Sequence, residues 1–199
     1  MEPFKEITAP VIPLYVDNID TDQIIPARYM KKKKKNGLGK YLFHDWRYDA
    51  NENPKEDFIL NKPGITPEIL VTGENFGSGS SREHAPWALQ DFGFRVIVAT
   101  SFADIFKHNA LNIGLLPIKA SKEFVNKILK QYDKNPQSKI HVDLVKQQVE
   151  IVDTGEIADF EINQYKKKCL LHGINDIDYL LNLRDEISDY EKKRNMVSK

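Results

Sequence analysis

The stretch from Glu68 to Thr100 constrains this chain more than any other. Glu68 to Thr72 (EILVT) reads as a strand, Gly73 to Ser80 as a glycine-rich loop, Ser81 to Phe92 as a helix, and Arg95 to Thr100 (RVIVAT) as a buried strand. A strand, loop, helix and strand in succession predict an α/β architecture. The alternation continues downstream. Ser101 opens a short helix containing Phe102, Ile105 and Phe106, and Gly114 to Ile118 reads as another strand. Ser121 caps an amphipathic helix (Phe124, Val125, Ile128, Leu129, Tyr132) that stops at Asn135-Pro136. Ile140, Val142 and Leu144 alternate like a half-buried strand, with Val149 and Ile151 in its hairpin partner. Ile162 to His172 is a helix closed by Gly173, and Asn175 or Asp176 caps a last helix containing Ile177, Leu180, Leu181 and Ile187. The C-terminal KKRNMVSK reads as a frayed tail.

Upstream the pattern is weaker. Val11 to Val16 (VIPLYV) is apolar but broken by Pro13, which predicts an edge or irregular strand. Residues 28–67 show little sustained periodicity and read as a long mobile loop with some local structure, including an aromatic-rich patch from Tyr41 to Tyr48. At 199 residues the whole chain, 1–199, is expected to be a single domain with a core of ordinary size.

Composition excludes several functions. Lys plus Arg equal Asp plus Glu at 29 each, so no basic footprint points to nucleic acid; the run Lys31 to Lys35 reads as a solvated loop segment. No apolar run approaches the roughly 20 residues of a membrane span, and Met1 to Pro10 has no leader pattern, so a cytoplasmic protein is expected. Cys169 is the single cysteine: it permits no internal disulfide and cannot by itself hold an iron–sulfur cluster. The five histidines show no ligand spacing, and no metal is expected on this chain.

Two strings carry the chemistry. In residues 73–85 (GENFGSGSSREHA), glycines allow a tight turn, and the predicted helix start would set Ser80, Ser81 and Arg82 beside unpaired backbone N–H groups. Two hydroxyls and a guanidinium at such a place suit a carboxylate or a developing oxyanion. The string ends in no Gly-Lys-Ser/Thr, lacks the third glycine of a dinucleotide loop, and contains neither Gly-x-Ser-x-Gly nor a second histidine for a zinc-protease helix. The second string, Asp17 to Pro26 (DNIDTDQIIP), superficially suggests calcium. The EF-hand register from Asp20 lacks its glycine and has Lys31 in place of the final Glu, so turn and cap chemistry is the reading from the residues alone. These residues leave open an enzyme subunit or a stand-alone anion-binding module.

Taken together, DTD at 20–22 with IIP at 24–26, LFHDWRY at 42–48, ENFGSGSSREHAPWAL at 74–89 and SFADIF at 101–106 resemble the swivelling domain of the aconitase superfamily. Within it they are most similar to the small subunits of isopropylmalate dehydratases, over nearly the whole chain. That resemblance implies a swivelling β/β/α domain of the aconitase C-terminal type. It also implies hydro-lyase chemistry in leucine biosynthesis, with a small dicarboxylate substrate and a partner large subunit carrying a [4Fe-4S] cluster that this chain does not bind alone. By position, Ser80 resembles the serine whose alkoxide takes the proton from carbon, and Ser81 and Arg82 resemble residues that hold a substrate carboxylate. Thr21 and Asp22 match a supporting Thr-Asp pair, with Asp22 orienting Ser80 or Arg82. Arg28 and the 31–43 loop, Leu38 included, correspond to the region that selects the substituent. A related dicarboxylate of the citraconate or homoaconitate type fits the same resemblance.

Overall fold

A computed structural model describes residues 1–30 and 37–197. Its centre is one seven-stranded sheet: β1 (Glu6–Leu14), β2 (Ile69–Thr72), β3 (Val96–Ala99), β4 (Leu116–Lys119), β5 (Lys139–Asp143), β6 (Gln148–Ile151) and β7 (Glu156–Asp159), in the order β4-β3-β2-β1-β5-β6-β7. Strands β1 to β4 are mutually parallel, and β5 to β7 continue from β1 as an antiparallel meander.

β1 is therefore central, against the expectation of an edge strand. Its first half (Glu6 to Pro10) pairs antiparallel with β5 and its second half (Val11 to Leu14) pairs parallel with β2. Each half is ladder-bonded on one side, so Pro13 sits where no second partner demands its missing N–H. The parallel half is buried on both faces, as sheets of this kind require. Ile69, Val71, Val96 and Val98 meet one core together with Phe124, Val125 and Ile128, whereas Leu70, Ile97 and Ala99 meet the other with Ala85, Ala88 and Leu89. The alternation along each strand is the period-two rule applied to two apolar layers.

Eight α-helices complete the described residues: α1 (Thr21–Ile24), α2 (His44–Arg47), α3 (His84–Phe92), α4 (Asp104–Ile113), α5 (Lys122–Lys134), α6 (Gln164–His172), α7 (Asp176–Asn182) and α8 (Arg184–Val197). α5 begins as expected: the Ser121 side chain accepts from the Phe124 N–H at 3.1 Å. α6 ends at Gly173, and Asn175 caps α7 in a reciprocal box with Asp178.

The 28–67 region, expected as a long mobile loop with some local structure, is packed where it is described. Its described residues form three 3-10 turns (Ala27–Tyr29, Gly39–Tyr41, Ile59–Asn61) and α2, with Leu42, Phe43 and Leu60 buried. The Asp91 carboxylate fastens this stretch to the end of α3 by accepting from the Gly37 and Gly39 N–H groups at 2.9 and 2.7 Å. Lys31 to Lys35 and Asn36 lie outside the described residues. The C-terminal segment also differs, because Leu183 separates two helices where one was expected and α8 runs to Val197 where a frayed tail was expected. Ile177, Leu180 and Leu181 on α7 are exposed, so their helical spacing does not mark a core face. No described helix is long and apolar enough to cross a membrane.

Removing the α5 cap tests the boundary. Ser121→Ala should lower unfolding free energy by about 1 kcal/mol, read as a shifted urea midpoint at unchanged slope.

Candidate active site

Loops leaving the C-terminal ends of β1, β2 and β3 meet at one edge of the parallel half-sheet, the position at which open α/β sheets bind ligands. The loop after β2 is clasped from both sides. On the β1 side, Asn18 N–H donates to the Glu74 carbonyl (2.8 Å), Gly77 N–H to that of Ile19 (2.7 Å) and Thr21 N–H to that of Ser78 (2.8 Å). On the β3 side, Phe76 N–H donates to the Ser101 carbonyl (3.1 Å), and Ala103 N–H to that of Phe76 (3.0 Å). Asp17 and Ser101 side chains satisfy the remaining Glu74 and Asn75 N–H groups at 2.8 and 2.7 Å. A glycine-rich segment is thus held as firmly as a strand.

The loop is anchored by Phe76, fully buried and edge-on to Phe102 and Phe106. Gly77 lies so close to this cluster that an added Cβ would stand 2.2 Å from Phe106 Cγ. Gly79, at φ +89°, takes a left-handed conformation that other residues rarely adopt.

α1 sets the opposing side chains. Asp20 is its N-cap, accepting from Gln23 N–H, while the Gln23 side chain accepts from Asp20 N–H. The cap chemistry expected for this string is present, and it orients the next two residues. Thr21, buried, donates its hydroxyl to the Ser80 carbonyl at 3.1 Å. Asp22 forms an ion pair with Arg82 Nη1 and also accepts from Ala27 N–H at 3.2 Å. Arg82 lowers the Asp22 pKa below its ordinary 3.8, chiefly through their hydrogen bond; burial opposes this, and the Arg82 charge and the Ala27 N–H add to it.

One expectation is corrected. α3 begins at His84, so Ser80, Ser81 and Arg82 precede the helix rather than occupying its first turn. Pairing with Thr21 holds residues 78–80 against the neighbouring loop, and that tertiary contact overrides the helical pattern in the letters. Ser80 and Ser81 are exposed, and the Arg82 side chain retains 14% of its exposure. The chain therefore brings Thr21, Asp22, Ser80 and Arg82 together, with Ser81 between the last two.

Arg28 and Leu38 are placed differently. Arg28 lies beyond Ala27 and forks onto Asp45, a partner that no sequence spacing reveals. Leu38 is 0% exposed and packs into the core with Leu42 and Phe43, so its side chain is not on the surface as a substrate contact requires. His84 lies against Trp87, ring centroids 4.9 Å apart. Cys169 is buried on α6 and, as the sole cysteine of the sequence, makes no ligand set for an iron–sulfur cluster. Glu6, His141 and Asp143 draw their ligand-type atoms within 4.8 Å of one another at the far end of β1. Sequence distance hid that grouping, and Thr8 and Lys146 already engage His141 and Asp143.

A mixed sheet with this clasped glycine loop at its parallel edge defines an aconitase C-terminal-type domain, and the sequence model of the aconitase C-terminal domain family matches residues 1–123. The chain is 49% identical to the 3-isopropylmalate dehydratase small subunit of Cytophaga hutchinsonii, over 100% of this chain and 98% of that one. It is also 49% identical to the subunit of that name from Azobacteroides pseudotrichonymphae, over 96% and 98%. The crystal structure of a 3-isopropylmalate dehydratase chain from Methanocaldococcus jannaschii superposes with a TM-score of 0.66 at 27% identity, covering 94% of this chain and 99% of that one. The chain belongs to the family of 3-isopropylmalate dehydratase small subunits.

The Asp22–Arg82 contact has a definite pH sign. Because the folded pKa lies below 3.8, its stabilisation is present above that value and is lost as pH falls through the folded pKa. Solvent screening keeps it small, since Asp22 is 55% exposed. Carboxyl-carbon NMR should find Asp22 titrating below the ordinary range, and Arg82→Gln should return it upward.

Proposed function

We propose that this chain is the small subunit of a 3-isopropylmalate dehydratase, interconverting 2-isopropylmalate and 3-isopropylmalate through 2-isopropylmaleate in leucine biosynthesis. It acts there with a large subunit that carries a [4Fe-4S] cluster and completes the site. The observation behind this reading is an exposed Ser80 on a rigidly clasped loop, two residues from an Arg82 fixed by Asp22.

Dehydration removes a proton from the carbon next to the one that loses hydroxyl. Ser80 is the proposed base. A serine hydroxyl is a poor base unaided, so its anion needs a charge already in place. With α3 starting at His84, Arg82 rather than the helix N–H groups carries that duty. Its pairing with Asp22 fixes the guanidinium before substrate arrives, and the remaining N–H groups, with the Ser81 hydroxyl, take a substrate carboxylate. Thr21 acts by holding the Ser80 backbone. Arg28, half-exposed and next in sequence to the Ala27 whose N–H donates to Asp22, is the proposed contact for the second carboxylate. We place the enzyme so assembled in the cytoplasm.

Anaerobic reconstitution with an iron–sulfur large subunit tests the reading. 2-Isopropylmalate should yield the unsaturated acid faster than citraconate or homoaconitate analogues react. Ser80→Ala should lower kcat by about 10²–10⁴-fold while co-purifying with the large subunit as the wild type does. Near-normal turnover of that variant would remove Ser80 from the base role.

A further inference from the structure

We infer that Asp45 is a positioning residue that presents the Arg28 guanidinium to a substrate carboxylate, an inference that rests on the dehydratase reading above. Arg28 Nη1 donates to Asp45 Oδ2 at 3.2 Å while Nη2 pairs with Oδ1, so the two groups meet end-on as a fork. Such a fork uses one hydrogen on each terminal nitrogen. The Tyr29 side chain is a further hydrogen-bond partner of Arg28, and a guanidinium with five N–H groups keeps donors beyond these two partners for a second carboxylate. With 53% of its side chain exposed, the guanidinium is open to a ligand.

Both ends of Arg28 are fixed. At the backbone, the preceding Ala27 N–H donates to Asp22, the same carboxylate that holds Arg82. At the head, the guanidinium carbon lies 4.7 Å from the centre of the Tyr29 ring, in addition to the Asp45 fork. Asp45 is itself well supported. The Lys55 ammonium donates to its carbonyl at 3.1 Å. The neighbouring His44, buried and packed 4.7 Å from the Tyr29 ring and 4.8 Å from that of Tyr48, meets Glu52 at 2.9 Å and Asp45 at 3.6 Å. A long, flexible arginine stem would otherwise lose its conformational freedom only on binding. Held by Asp45, it has lost that freedom beforehand, which lowers the entropic cost of taking a carboxylate.

The test uses the complex with the large subunit. Arg28→Gln and Asp45→Asn should each raise KM for 2-isopropylmalate about ten-fold with kcat changed less than about three-fold. The double variant should be no worse than Arg28→Gln alone, because Asp45 acts through Arg28. Asp45→Glu, which keeps the charge, should recover part of the loss. An unchanged KM in either single variant overturns the inference, as does a double variant whose losses multiply. Failure of Asp45→Asn to assemble, or a parallel fall in kcat, would show a structural role and overturn it too. A wild-type complex with no turnover on any substrate would remove the dehydratase reading, and this inference with it.

Discussion

Parallel pairing of β1 with β2 is the constraint on which the rest of the structure depends. Register from Val11↔Ile69 to Leu14↔Thr72 makes two strands end side by side, so the segments leaving them run together. Four main-chain hydrogen bonds then continue the ladder beyond the sheet, with the isolated bridge Asp20↔Ser78 as its last rung, and Phe76↔Phe102 ties the same loop to the segment after β3. Close backbone approach of this kind tolerates little volume. Glycine at 73 and 77 is therefore a requirement of contact with Asp17 and Phe106 as much as of turning. The apolar layers beneath, one on each face of the parallel half, keep the strands from sliding and hence keep the loops in register.

Two arginine–carboxylate pairs stand on this platform, Asp22–Arg82 and Asp45–Arg28. Their carboxylates are more than half exposed, so neither pair adds much to folding stability. Their contribution is geometric. A planar guanidinium held in one orientation suits the two carboxylates of the proposed substrate. Asp22 links the pairs, since one of its oxygens meets both Arg82 and the N–H that precedes Arg28.

What was legible in the letters was local. β2, β3, the cap of α5 and the glycine stop of α6 each follow from a pattern within a dozen residues, and each stands within two residues of its expected place. The candidate site residues stand in two strings, because a glycine-rich turn and its serines are contiguous. Long-range pairing was not. Pro13 argued for an edge, and only the half-and-half pairing of β1 shows why a central strand accommodates it. The start of α3 was misplaced because a contact with Thr21, 59 residues away, competes with the helix. Residues 37–61 carry no period because they form 3-10 turns and one short helix, and their burial arises from packing against three separate elements, α3, α1 and β1. β7, with its half-exposed pattern Glu-Ile-Ala-Asp, has too weak an alternation to announce itself.

Exposure at the site is itself informative. Proton abstraction from carbon requires a base whose anion is not drained by bulk water, and low-dielectric surroundings multiply the effect of a fixed guanidinium. Here Ser80 and Ser81 are exposed on a loop whose Gly73 to Gly77 N–H groups are all bonded to neighbouring segments. Docking of the proposed large subunit over it would expel water, sharpen the Arg82 field at Ser80 and bring the substrate's leaving hydroxyl to the partner's side. On that view the division into two polypeptides places the water-sensitive step at their junction, and association becomes the act that turns a hydroxyl into a base.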